Sequence, residues 1–553
     1  VIPGTSASTP AATTPASGRF SRLAAPPEAP LPLWILYPLF FAAIYLTHWS
    51  LLRLPYFWDE AGYYIPAALD FFRTGALVPH STLTNAHPPL PSVLLAAWWR
   101  VSGLSIPGTR AFVCMVSSAA LLGIYRLTRL LTGPLLAAIV TILTALYPVW
   151  FAQSTLAHAD IFAAAFSLWA LSYYFQRFVS DREHMGKVAI LFSLAALSKE
   201  TAIVTPLALA LWEIVLLATE KRAERLRENQ PETTRGSKAW AAALLTPTAP
   251  LAAWYAYHFL HTGFIFGNPE FLRYNATANL SLARILVSLW HRLLHLTVHM
   301  NMYVPVVATI AVFFMPRLLP PTRALSKSVL MAIAVILAGN AIAFSILGGA
   351  LLTRYLLPLY PLILLLCVAV WHSRGRPLWP LAGLTAAAFL LGLWINPPYS
   401  IAPEDNLTYA DMIRLHQQAI ALIDKQFPAA TVLSAWPATA EMQTPELGYT
   451  RHPLKIVALD NFTAEQIEKA AQDPGAYDTA LLFSTKWIPH LGWLNLGRAS
   501  ESSDTRFFDF HRDLSPDEAA LALHGQVVWR ATRNGEWAAV LRFPRSNEAR
   551  LTP

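Results

Sequence analysis

Eleven apolar stretches, most of them close to the length of a bilayer crossing, constrain this chain more than any other feature. They run over 33–52, 109–130, 134–152, 161–178, 187–198, 201–219, 239–260, 298–315, 328–347, 355–372 and 378–395. A helix that spans the hydrocarbon core needs about 20 mostly apolar residues, because every backbone polar group must be satisfied within the segment. The 187–198 stretch is short and stops at Lys199-Glu200, so it reads as a broken helix or as the first arm of a tight hairpin. Charged residues make up 13% of the chain, against roughly 25% for a soluble protein. The fold class expected is a polytopic α-helical membrane protein.

The net charge of +8 is no nucleic-acid footprint, because the basic residues lie in small groups between the apolar stretches, as topology signals do. With a cytoplasmic N-terminus, Arg126 and Arg129, then Arg177, Arg182 and Lys187, then Lys221, Arg222, Arg225, Arg227, Arg235 and Lys238, then Arg317, Arg323 and Lys327, and finally Arg374 and Arg376 all fall inside. The opposite loops hold only scattered basic residues: Arg53, Arg73, Lys199, Arg273 and Arg354. This polarity predicts a multi-pass inner (plasma) membrane protein. Cys114 and Cys367 both sit in apolar stretches and read as packing residues.

Residues 1–32 are rich in Ala, Pro, Thr and Ser and read as a flexible cytoplasmic tail, with the first apolar stretch retained as an anchor. Two shorter segments on the outer side, 60–73 and 90–103, read as juxtamembrane helices; the second ends in Trp98-Trp99-Arg100, an interfacial pattern. Residues 33–396 form the membrane module. Beyond Asn396-Pro397-Pro398 the charge density becomes ordinary, and 397–553 reads as an outer (periplasmic or extracellular) soluble α/β domain. Within it, 405–426 has the pattern of an amphipathic helix, 431–436, 454–459 and 478–483 of strands, and Asn534-Gly535 of a hairpin turn between 526–533 and 536–543. Thr463 and Gln466 have the spacing of a capping box for a helix over 464–472.

On this topology the unusual polar residues gather on the outer side. Trp58, Asp59, Glu60, Tyr63, Tyr64 and His87 fall in the first loop, His158 and Asp160 in the second, Lys199-Glu200 in the third, Glu270, Arg273, Tyr274 and Asn275 in the fourth, and Arg354-Tyr355 in the fifth. A carboxylate can take the proton of an attacking hydroxyl or amine. Lys and Arg can hold a phosphate as its charge grows, and aromatic rings can stack on a sugar or sit at headgroup level. Each group also has a plainer reading. Asp59-Glu60 can cap the following helix, His87 can be a turn residue before Pro88-Pro89, Lys199-Glu200 a local ion pair and Arg354 an interfacial anchor. His158-x-Asp160 offers two metal ligands, and two do not make a site; no cofactor is required by the sequence, and a divalent metal is not favoured.

Trp58-Asp59-Glu60 after the first stretch, then His87-Pro-Pro-Leu90, then Asp160, resembles the protein O-mannosyltransferase and aminoarabinose transferase group of polytopic GT-C glycosyltransferases. The resemblance covers roughly residues 33–396. His87-Pro-Pro-Leu90 has the mannosyltransferase wording, whereas the aminoarabinose enzymes carry a lysine before the prolines. It implies a sugar donor linked to polyprenyl phosphate, with the first-loop acid Asp59 as catalytic base, Asp160 as the second-loop acid, and Arg354-Tyr355 as the late arginine and tyrosine. His87, Lys199, Arg354 and Tyr355 are then candidates for the donor phosphate. Trp58, Tyr63, Tyr64, His158, Glu270, Arg273, Tyr274 and Asn275 are candidates for contact with substrate.

The function expected is an inverting transfer of a sugar to an acceptor protein, lipid or glycan at the outer face, with Asp59, Asp160 and Glu60 as the catalytic carboxylates. Partners expected are the donor and membrane lipid, with 397–553 open to a protein partner. The alternative is a non-catalytic scaffold, or a transporter of lipid-linked substrate. A transporter favours polar groups deep within its spans; here they cluster at loop ends.

Overall fold

The computed structural model describes residues 32–82, 84–180, 182–225, 236–267, 281–317, 325–347, 351–487, 505–508 and 512–543. All eleven apolar stretches carry helix, but few as one unbroken rod. Among the described residues, Ile106–Thr132, Glu200–Thr219 and Lys327–Leu347 are long and apolar enough to cross a membrane, and Leu282–Asn301 with Tyr303–Phe314 forms a pair bent by 99°. The other apolar helices are shorter, among them Leu33–Thr47, Pro134–Leu146, Met185–Ser198, Tyr360–Ser373 and Leu378–Gly392.

Proline explains several of the breaks, because it removes a backbone donor and clashes with the preceding turn. The 134–152 stretch divides into Pro134–Leu146 and Pro148–Gln153, and 239–260 into Lys238–Leu245 and Thr248–Thr262 after Pro247. The helix Leu282–Thr297 lies outside every apolar stretch. Its Arg284 and Arg292 turn inward and donate to Ile346 O at 2.7 Å and Leu352 O at 3.0 Å. These bonds tie it to the C-terminal end of Lys327–Leu347 and the segment that follows.

The two short helices expected over 60–73 and 90–103 are present as Ile65–Thr74, entered through a π-helical turn at Glu60–Tyr64, and Leu90–Ser102. The C-terminal region holds helix Thr408–Gln426 and five strands: β1 (Thr431–Ala435), β2 (Lys455–Leu459), β3 (Thr479–Phe483), β4 (Gln526–Arg533) and β5 (Glu536–Arg542). The sheet order is β2-β1-β3-β5-β4. β2, β1 and β3 are parallel, linked by helical crossovers, while β3, β5 and β4 pair antiparallel, the last two through the Asn534-Gly535 turn. β3 is buried along its whole length, as a central strand covered on both faces must be. The capping box at Thr463 does not form. Thr463 Oγ1 donates to Asn461 at 2.7 Å and Gln466 Nε2 to Asp460 at 3.1 Å. The nearby side chains outcompete the helix end, and the capping box that does form is Ser515 with Glu518.

Glu536 opens β5 with its side chain fully buried beside Ser484, and burial pushes its carboxyl up to about 7. A carboxyl raised above its unfolded value leaves stability intact below that value, about 4.3, and removes it as pH rises through about 7. Glu536→Gln is therefore expected to raise the apparent melting temperature at pH 8 and to change it little at pH 5. An equal effect at both pH values would show that charge is not the cause.

Candidate functional site

The site is assembled at the end of the helices against which the region of the C-terminal sheet packs. Asp59 precedes the π-helical turn, a distortion frequent at functional sites, and follows Trp58, which holds a left-handed φ of 45°. Such a backbone is costly for a bulky residue. Asp160 lies in the first turn of helix Ala159–Tyr174, where an acid meets the positive end of the helix dipole. Lys199 is extended at the break between Met185–Ser198 and the 3-10 turn Glu200–Ile203. Arg354 sits in another 3-10 turn, Thr353–Leu356.

These four side chains meet around Arg354. Its NH2 pairs with Asp59, its Nε lies 3.4 Å from Asp160 Oδ2, and its NH1 lies 2.5 Å from Glu404 Oε1. Lys199 Nζ is 2.6 Å from Asp160 Oδ1 and lies 3.9 Å from the centre of the Tyr355 ring. Three carboxylates thus surround one guanidinium, and together they hold it well above the ordinary arginine range despite its burial. Burial draws Lys199 down, against the pull of Asp160. Glu404 is pushed up to about 7 by burial, with Arg354 opposing. Asp59 is the most exposed of the three carboxylates: its side chain is 18% exposed, that of Asp160 2% and that of Glu404 6%.

Glu60 turns away from this centre. Its carboxylate is fully buried, 2.6 Å from Arg110 NH1, and accepts from Phe57 N at 2.8 Å and Ala157 N at 2.5 Å. Arg110 also donates to Thr155 O at 2.7 Å and Pro55 O at 2.9 Å. The pair therefore clamps the segment around Asp59 to the one before Asp160, which places the two acids on a common frame.

His87 Nδ1 pairs with Glu200 at 2.8 Å, and its ring stacks on Tyr64 at 5.8 Å. His158 is buried beside Tyr64, bonded to Gln153 at 2.9 Å; burial first, then Arg354 and Lys199, hold it well below the ordinary histidine range. Tyr63, Tyr64, Thr84, Asn85 and His87, with Trp254, line a cleft of about 440 Å³. A second cleft, of about 340 Å³, starts at Asp160, Lys199, Arg354 and Tyr355 and continues between helices past Ser167, Thr205, Asn340 and Phe344. Glu270, Arg273, Tyr274 and Asn275 lie outside the described residues. Among the described residues, no group of three or more His, Cys, Asp or Glu is arranged to hold a metal ion.

The region of the C-terminal sheet brings Trp436 to the first loop, 5.4 Å from Trp58 and 5.2 Å from Tyr63 between ring centres. Tyr56 N donates to Leu447 O at 3.2 Å, and Tyr449 OH to Tyr56 O at 3.0 Å. The indole of Trp436 lies so close over Gly62 that a Cβ there would overlap it. Gly62→Ala is expected to displace the indole at a cost of about 1–3 kcal/mol, read as a lower apparent melting temperature; a wild-type value would show that Trp436 moves aside freely. Reading the sequence did not single out Arg110, Glu404 or Trp436. Arg110 alone left a signal, an arginine at the start of an apolar stretch.

Residues 86–254 match the family model described as dolichyl-phosphate-mannose-protein mannosyltransferase. No curated protein matches the chain in sequence. Among solved structures, ArnT from Cupriavidus metallidurans bound to undecaprenyl phosphate is similar at 15% identity and a TM-score of 0.51, over 91% of this chain and 98% of that one. The Archaeoglobus fulgidus oligosaccharyltransferase in complex with Zn and sulfate aligns at 12% identity and a TM-score of 0.45, over 81% of this chain and 67% of that one. A mannosyltransferase family model thus matches part of this chain, and its fold is similar to that of ArnT.

Proposed function

We propose that the protein is an inverting glycosyltransferase that takes a sugar from a polyprenyl-phosphate donor at the outer face of the membrane. The observation that carries this reading is the ion-pair cluster of Asp59, Asp160, Lys199 and Arg354, the last three of which line a cleft between helices. A lipid-linked anion suits such a place: the chain lies among the helices and the phosphate meets the two cations. The similarity to ArnT bound to undecaprenyl phosphate supports that donor class.

In the proposed step, Asp59 takes the proton of an acceptor hydroxyl or amine. The acceptor atom bonds to the anomeric carbon, and the bond from that carbon to the phosphate oxygen breaks, its electron pair staying on the phosphate. Arg354 and Lys199 take up the charge that develops there. Asp160 orients Lys199 and Arg354, Glu60 positions the first loop through Arg110, and Trp58, Tyr63 and Trp436 border the acceptor side. The orientation proposed has a cytoplasmic N-terminus and residues 397–553 outside.

The test is turnover of a panel of polyprenyl-phosphate sugars by purified protein in lipid. Release of polyprenyl phosphate that requires the protein supports the reading. Neither binding nor cleavage across the panel would turn it towards a scaffold built on this fold.

A further inference from the structure

The sequence just after the last apolar helix, Leu378–Gly392, places two adjacent acids, Glu404 and Asp405, in a single 3-10 turn, Pro403–Asp405. The turn is fixed from several sides. Asp405 accepts from Thr353 Oγ1, and its other oxygen lies 3.1 Å from His299 Nε2. Asn406 Nδ2 donates to Gly392 O at 3.2 Å and to Asn396 Oδ1 at 2.8 Å, and Ile401 bridges to Trp487 of the outer domain. Glu404 is thereby delivered to Arg354 NH1 from a rigid support.

We infer that Glu404 is a positioning residue: it holds the Arg354 guanidinium towards Asp59 and Asp160 in the free protein, and its protonation admits the anionic group of the donor. This rests on the function proposed above and adds a regulator to it. Each nitrogen of the guanidinium lies within ion-pair distance of a different carboxylate, NH1 and NH2 by hydrogen bonds and Nε at 3.4 Å without one, so a phosphate must compete with all three. Two cations, Arg354 and Lys199, face three acids, Asp59, Asp160 and Glu404. With all ionised the cluster carries one surplus negative charge; with Glu404 neutral it carries none.

The groups around Glu404 decide which acid gives way. Arg354 faces it from the Thr353–Leu356 turn, Asp59 acts from the first loop and Asp405 from its own turn, Asp405 itself being paired with His299. Lys199 sits beyond Asp160 and does not touch Glu404 among the ion pairs of the described residues. Glu404 therefore has one cation and two neighbouring acids, and burial lifts its carboxyl to about 7. Asp160, by contrast, has both cations.

The experiment is binding of undecaprenyl phosphate to the full chain in lipid at pH 6 and pH 8, comparing wild type, Glu404→Gln and Glu404→Ala. The phosphate titrates in the same range, and Glu404→Gln reports that share alone. Wild type is expected to show a pH 6 preference about tenfold larger than that of Glu404→Gln, since one unit charge at this range in a buried site readily exceeds tenfold in affinity. Glu404→Ala is expected to bind about tenfold more weakly than Glu404→Gln at both pH values, because Arg354 loses its support. Equal pH preferences in wild type and Glu404→Gln would overturn the inference. If wild type binds no undecaprenyl phosphate at either pH, the donor assignment fails. The positioning claim is then read from melting temperatures of Glu404→Gln, Asp59→Asn and the double variant. Non-additive shifts support a shared hold on Arg354, and additive shifts refute it.

Discussion

Asp59→Asn is expected to reduce transfer by about 10²–10⁴-fold, the contribution of a positioned general base, while the protein remains folded. Asparagine keeps the size of the side chain and can still accept from Arg354, but it cannot take a proton. The fold is expected to tolerate the change because Asp59 is partly exposed and Arg354 keeps Glu404 and Asp160 as partners. Folding is checked by size-exclusion chromatography and thermal melting in the same detergent, transfer by release of polyprenyl phosphate in lipid. Near-normal transfer would remove Asp59 from the role of base. Loss of transfer together with loss of the folded peak would leave the role undecided, and Asp59→Glu, which restores a carboxylate, then separates the two.

Arg110→Met is expected to have the largest effect on folding. It leaves Glu60 fully buried without its cation, and breaking a buried pair on one side costs about 3–5 kcal/mol. Leu54, Pro55 and Thr155 also lose a donor to their carbonyls. The expected outcome is a much reduced yield of folded protein and a sharply lower melting temperature. Adding Glu60→Gln removes the stranded charge and is expected to recover a large part of the loss. Failure of that rescue would show that the carbonyl contacts of Arg110, and not its pairing with Glu60, hold the loops together.

The two predictions separate neighbours that the sequence presents as one motif. Asp59 and Glu60 are adjacent, yet one faces Arg354 and the other faces Arg110 on the opposite side of the turn. The first turn of a helix points successive side chains about 100° apart, so adjacency in the chain gives no shared destination. The same limit applies to Lys199-Glu200, where Lys199 joins Asp160 and Glu200 joins His87.

Apolar run length marked the helices, and short strand-like runs with the Asn534-Gly535 turn marked the strands of the C-terminal sheet, while the proline breaks within the helices emerged only in the structure. These are local matters, settled by backbone chemistry and by which residues can be removed from water. The amphipathic helix Leu282–Thr297 was not legible, because its Arg and His residues interrupt any apolar run. Partnership was decided elsewhere. Arg354 is 295 residues from Asp59 and 50 from Glu404, and Trp436 reaches Trp58 from just after a strand of the C-terminal sheet. A buried charge must find a counter-charge wherever packing brings one, so the amino-acid sequence determined that such residues exist on one side of the protein, and only the tertiary structure decided which of them compensate one another.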